Sequence, residues 1–459
     1  MKNSIKTNLV PDELNLALQL DKLPIATPDM TEEELRDVII KFMYLQGHFA
    51  FTPDLGGIGE YKYHIKNLYG IYKGSENLDN LMITFEEGKY YGGVPYMGNS
   101  GGSLYRWLDF YDAETGVMDW APILRTRREN WVDPANGRVF PDVGSSYFGN
   151  TCASSCVWSW LRVTNKIESF WTYSCIPKYG LVKVGDYELA EDGTYGPSTK
   201  ELCKKNGKDR IFAAYSKMKK ADGMVKSGHA VMCVSNAVVV RDENGSIDGD
   251  SSYVLIAEQK ASFLTAPPTE GGVDLYSPLN DNGDTYRIMG NFSGNVVNGV
   301  VKDMKWTFNY LFNAGYLPFT LPELCGLAPV DKSEVGLYKS GEIYNAEEIK
   351  ASDLKTMTVE SNYPISDLHF IVRDEAENLL FSAMYGAHTE DDQNRDSGVA
   401  ALKKYSINDA LHNNVIYEDK ECIKNNLADF AAKGNHILEI TARVSTGELL
   451  TVFKGALTE

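Results

Sequence analysis

One helix-periodic run, TCASSCVWSWL at 151–161, stands ahead of a series of strand-like runs, and that order constrains the fold more than any other feature. Val157, Trp160 and Leu161 share one side of the run at helical spacing. Three β-like stretches follow: HAVMCVS at 229–235, AVVVRD at 237–242 and YVLIAEQ at 253–259. ENGSIDGDSS, between the last two, supplies turn residues that include Asn244–Gly245. A helix followed by an antiparallel meander is the pattern of an α+β domain.

The chain has 459 residues, and at about 150 residues per domain that implies two or three domains. Residues 1–90 read as a helical region packed on a larger domain at 91–330. Thr31 and Glu34 form a capping box there, ahead of Leu35, Val38, Ile39, Phe42 and Met43 at helical spacing. The texture changes at APVDKSEVG, 328–336. Beyond it KTMTVES, DLHFIVRD, LLFSAMYG, HILEITARVS and ELLTVFKG alternate as strands do, so 335–459 reads as a β-sandwich accessory domain. A helical insertion from about Val399 to Lys433 interrupts the series, and Tyr363 and Tyr385 look like exposed aromatics, though core packing explains them equally well.

The net charge of −18 argues against a nucleic-acid partner, because a phosphate backbone is tracked by a basic surface. No stretch approaches the roughly 18 uncharged apolar residues of a membrane span. The N-terminus lacks the apolar run of an export signal, since Asp12, Glu13 and Asp21 break every candidate. Seven widely spaced cysteines, an odd count, do not make a disulfide framework. Cys152 and Cys156 lack a second close Cys or His pair to complete a zinc site. Neither a metal nor an organic cofactor is expected.

Cys152 carries the chemistry. Asn150 or Thr151 caps the helix that starts there, so the thiol meets unpaired N–H groups and the positive end of the helix dipole. Both favour the thiolate. The same N–H groups suit an oxyanion. Cys156, one turn deeper and on the Trp160 side, reads as a core residue. It is the lesser candidate for nucleophile, because SSCVW resembles the GSCW context of papain. His229 follows Gly228 at the head of an apolar strand and supplies the acid and base. At the end of YVLIAEQ, Glu258 is the first choice for the group that orients the imidazole, and Gln259 the second. Tyr147 is a candidate for the oxyanion site or the cleft.

These elements carry a resemblance. GNTCASSCVWSW is similar to the DCS-x-x-V-x-W context of the nucleophile in NlpC-type cell-wall endopeptidases. ADGMVKSGHAVMCVS is similar to their GD…GHV-x-x-V element, with Gly228 and His229 matching directly. GGVPYMG at 92–98 resembles their G-x-PY-x-GG segment. IAEQ is similar to the SEQN ending of CHAP amidases, which puts their acidic triad member on Glu258. The match is discontinuous over about residues 85–262. Thr151 stands where Asp is usual, Ala153 replaces a serine, and the Gly-Asp pair is inverted to Asp222–Gly223.

The resemblance implies a papain-like hydrolase of amide bonds in peptidoglycan stem peptides or related peptides, working through an acyl-enzyme on Cys152. It implies that the C-terminal domain binds a wall polymer or carbohydrate, or acts as a spacer. Enzymes of that kind work outside the membrane, whereas the N-terminus carries no export signal, so the residues leave the compartment open. Two rival functions use the same shell: a non-catalytic binding protein, and a cysteine acyltransferase that passes the acyl group to an amine.

Overall fold

The computed structural model describes residues 23–48, 151–167, 176–259, 300–386, 403–408 and 423–459. It adds single residues and short segments between 50 and 140, and strands between 276 and 297. The architecture is α+β, with several largely antiparallel sheets and few helices. The chain divides into two compact units that part between Val330 and Asp331. No helix among the described residues is long and apolar enough to cross a membrane.

In the first unit, α1 (Glu32–His48) opens on the capping box. The Thr31 N–H donates to Glu34 Oε2 at 2.8 Å, and the Glu34 N–H to Thr31 Oγ1 at 3.3 Å. Glu32, Glu33 and Glu34 place negative charge at the positive end of the helix dipole. Its buried face is Leu35, Val38, Ile39, Phe42 and Met43. Among the described residues of 1–90 the helical reading holds for this segment, while strands occupy Ala50–Asp54, Glu60–His64 and Met82–Glu86. Tyr61, Tyr63, Ile83, Thr84 and Phe85 are strand formers, and they pair Glu60–His64 with Met82–Glu86 antiparallel.

The eight-stranded sheet positions the site. Its order is Gly294–Val297, Val300–Thr307, Tyr253–Gln259, His229–Cys233, Gly223–Lys226, Leu317–Thr320 and Val182–Lys183, with Asn291–Phe292 also paired to Tyr253–Gln259. Every one of its pairings is antiparallel. AVVVRD is not one of its strands. Val238 makes an isolated bridge to Tyr253 and Arg241 another to Ile247, while Val238 and Val240 are each 40% exposed. A valine run with no buried face has no sheet surface to cover.

Helix α2 (Cys152–Trp160) is buried along its whole length. Thr151 caps it, and the cap is reciprocal. The Ser154 N–H donates to Thr151 Oγ1 at 3.1 Å and the Thr151 N–H to Ser154 Oγ at 2.7 Å. On α1, Gln46 Nε2 reaches Ser155 O at 3.0 Å and Ser159 Oγ at 2.9 Å. Trp160 lies over Gly223 and donates its indole N–H to Ala221 O at 2.9 Å. A Cβ on Gly223 would stand 2.4 Å from that ring. Gly223→Ala is therefore expected to cost about 1–3 kcal/mol by overpacking. It should lower the urea midpoint without changing the denaturant slope.

The second unit holds two sheets. One runs Glu348–Lys350, Leu449–Thr458, His436–Val444, Ile365–Asp374, Leu379–Gly386; the other Glu342–Ile343, Val335–Lys339, Met357–Ser361, Lys404–Ser406. Leu337, Val359 and Tyr405 of the second share a core with Leu368, Phe370, Leu438, Ile440 and Phe453 of the first. Of the helical insertion expected over Val399–Lys433, the described residues are helical at 407–408 and at Ile423–Lys433, and 399–402 and 409–422 lie outside the described residues. Lys404–Ser406 is a strand, held by pairing to Met357–Ser361 and by burial of Tyr405. Tyr363 is not exposed: its ring is fully buried and its hydroxyl donates to Asp331 O at 3.0 Å. The Tyr385 side chain lies outside the described residues.

Candidate active site

Three separated stretches meet at His229. Its strand is joined to Gly223–Lys226 by a two-residue turn, Ser227–Gly228, in which Gly228 takes a φ of +80°. Glycine holds that conformation without the strain a Cβ adds. The turn is clasped from outside. The Ser227 N–H donates to Thr199 Oγ1 at 3.1 Å, and the Thr199 N–H to Ser227 Oγ at 3.2 Å. Thr199 begins a helix, Thr199–Asn206, that Ser198 caps through the Glu201 N–H. The turn that aims the imidazole is thus tied to a helix start.

Glu258 reaches the ring from the next strand. The pairs Met232↔Ala257 and Cys233↔Ile256, continued along the ladder, set Glu258 opposite Val231. That is one step diagonal from His229 on the same face, within reach of long side chains. The contact is His229 Nε2 to Glu258 Oε1 at 2.8 Å. The carboxylate is buried at 3% exposure, which keeps water from competing for it. Gln259 is also buried, and as the next residue in the strand it turns to the opposite face.

The thiol that acts on His229, and on which His229 acts in turn, is that of Cys152. With Nε2 engaged by Glu258, Nδ1 is the ring nitrogen left for the sulfur. Burial pushes the Cys152 thiol up. The hydrogen bond and charge of His229, joined by the N–H groups of Ala230 and Ala153, outweigh it and hold the thiol below its ordinary value. Burial likewise works against the imidazolium, but Cys152 and Glu258 outweigh it and raise His229 to about 9. The two shifts agree: each favours the thiolate–imidazolium pair over the neutral one.

Cys156 is fully buried one turn into the helix. Cys203 and Cys233 are also buried, and burial raises both thiols, Cys203 to about 12. Tyr147 lies outside the described residues, as does Asn150. The cap is Thr151. Among the described residues no group of three or more His, Cys, Asp or Glu could hold a metal ion.

Other parts of the site were not anticipated from sequence. Trp306, Tyr310 and Tyr316 form an aromatic cluster, with Trp306 4.9 Å from Tyr310 and 5.3 Å from Tyr316. Burial and then the negative charge of Glu258 raise both phenols, so both tyrosines feel that carboxylate. The signal was present in WTFNYLFNAGY, where Tyr310 lies within a seven-residue helix, Phe308–Ala314, and Trp306 and Tyr316 flank it. Nothing in the local pattern joined that segment to Glu258. No family model matches the sequence, and a search of curated proteins finds no significant match.

Proposed function

We propose that this chain hydrolyses amide bonds through a thiolate at Cys152, with His229 as acid and base and Glu258 holding the imidazole. One observation carries the reading: Cys152, His229 and Glu258, distant in sequence, form a single chain of contacts whose charges favour the ion pair. The thiolate attacks the carbonyl carbon, and the electron pair of the C=O bond moves onto oxygen. The first-turn N–H of Cys152 faces no partner within the helix and is the donor assigned to that oxyanion. The intermediate collapses as His229 gives its proton to the leaving amine, and the acyl group stays on sulfur. Neutral His229 then takes a proton from water, the hydroxide attacks the thioester, and the acid leaves as the ion pair re-forms.

The resemblance to NlpC-type and CHAP enzymes supports a papain-like domain within 91–330 and a peptide of the peptidoglycan stem type as substrate. For the second unit we infer a β-sandwich that binds a wall polymer or carbohydrate, supported by two sheets sharing one core.

Limiting iodoacetamide tests the thiolate. At about pH 6, well under the usual thiol range near 8.5, peptide mapping should find the label on Cys152 ahead of every other cysteine. Alkylation of Cys152 no faster than that of a free thiol would sink the catalytic reading.

A further inference from the structure

We propose that Lys226 selects substrates that carry a carboxylate beside the amide bond attacked by Cys152. The inference rests on the hydrolase reading and adds a substrate class to it.

Lys226 is the residue directly across the hairpin from His229. Residues opposite each other in an antiparallel pair have side chains on one face, with Cβ atoms about 4.5–5.5 Å apart. The ammonium therefore starts from the same side of the sheet as the imidazole. It is then held by a ring: Lys226 Nζ lies 5.0 Å from the centroid of Tyr316. A cation over an aromatic face is attracted by the ring quadrupole, which limits where a flexible lysine wanders. The pairing Val225↔Leu317 continues to set Tyr316 beside Lys226 on the neighbouring strand. Tyr316 is 1% exposed, and the negative charges that act on its phenol are those of Glu258, Tyr310 and Cys152. One face thus carries, in order, Glu258, His229, Lys226 and Tyr316.

Its place directly across from His229 singles out this lysine, where other lysines of the unit are matched by carboxylates. Lys219 meets Glu32 at 2.8 Å, Lys166 meets Glu323 at 2.9 Å and Lys220 meets Asp37 at 2.5 Å. Lys226 is partly buried, and among the described residues no carboxylate lies within ion-pair distance of it. The chain has 63 acidic residues to 45 basic ones, so an unmatched cation beside a reactive thiolate is not a matter of supply. A partly desolvated ammonium attracts an anion more strongly than one in open water does. A substrate carboxylate placed there would be held while its neighbouring carbonyl stays at the sulfur. A neutral amide in the same position would leave the lysine unmatched.

The charge can be read without knowing the substrate, by comparing two alkylating reagents of similar size. Iodoacetate is an anion and iodoacetamide is neutral. Each reacts by forming an S–C bond to Cys152 as the C–I bond breaks and iodide leaves. The ratio of their rates reports the local field, because thiolate content and sulfur access enter both. Lys226→Met should lower the iodoacetate-to-iodoacetamide ratio at Cys152 about fivefold, Lys226→Glu should lower it further, and Lys226→Arg should hold it within about twofold. A lysine that served only packing, or only the thiol's ionisation, would leave the ratio unmoved. An unchanged ratio in Lys226→Glu overturns the proposal while the hydrolase reading stands. Slow iodoacetamide labelling of wild-type Cys152 instead overturns that reading, and this inference with it. Circular dichroism of each variant guards against misfolding, and Lys226→Arg supplies the folded control.

Discussion

His229→Ala is expected to cut the alkylation of Cys152 at pH 7 about a hundredfold, and amide hydrolysis by about three to four orders of magnitude. The two numbers differ for a physical reason. Alkylation needs only the thiolate. Without the imidazolium, burial is left opposed mainly by the N–H groups of Ala230 and Ala153, and the thiol returns to its ordinary range or above it. Near an ordinary thiol pKa only about three molecules in a hundred are ionised at pH 7, and fewer where burial raises the thiol further. Hydrolysis also needs a proton delivered to the leaving amine, the step proposed for His229. The pH profile carries the sign. Wild-type alkylation should already be high below the usual thiol range, because the thiol is held down. The imidazolium that holds it should persist until pH rises through about 9. In His229→Ala the rate should climb only at alkaline pH. An alanine variant that keeps the wild-type profile would mean that His229 does not form the ion pair.

The second large effect lies away from the thiol. Arg36→Ala is expected to destabilise the first unit by about 3–5 kcal/mol, the usual result of removing one partner from a buried ion pair. Arg36 is 3% exposed and Asp222 1% exposed. Arg36 Nη1 donates to Asp222 Oδ1 at 2.8 Å and to Lys220 O at 2.5 Å, and Nε reaches Glu32 at 2.9 Å. Asp222 also accepts the Lys219 N–H at 2.8 Å. Burial already raises the Asp222 carboxyl against the pull of Arg36. Without Arg36 the carboxyl rises further. A carboxyl raised by folding destabilises as pH climbs through its folded value, so the defect should shrink on acidification and grow toward neutral pH. Urea midpoints at about pH 5 and pH 7.5 would show it. The double variant Arg36→Met with Asp222→Leu should recover most of the loss, because removing both charges leaves no buried ion alone. Asp222 immediately precedes the strand Gly223–Lys226, so the pair also bears on the hairpin that presents His229.

The local elements of the site were legible where a residue's own neighbours set its state. Thr151 ahead of a helix-periodic run led to the cap, the cap led to Cys152 in the first turn, and the structure has that geometry. Gly228 before a strand led to the turn that presents His229. The strands of the second unit followed from alternation, because over part of each strand buried positions alternate with less buried ones. Readings failed where local preference and burial part company. AVVVRD has strand composition but no sheet surface to cover, and KYS at 404–406 sits inside a helical stretch yet is taken by a neighbouring strand. Tyr363 looks like a surface aromatic until its hydroxyl is seen satisfied by a carbonyl 32 residues away.

The sequence by itself determined the thiol at a helix mouth, the imidazole at a strand head and a carboxyl at the end of an apolar strand. Each depends on a cap, a turn or a periodicity spanning a few residues. It ranked Glu258 ahead of Gln259 without fixing which of them meets His229, and it did not pair Arg36 with Asp222 or set Lys226 beside His229. Those were decided by strand register and by the packing of α1, because contacts across a sheet depend on which residues fall opposite one another. A shift of one residue in register would turn Glu258 away from His229 and bring Gln259 to its face.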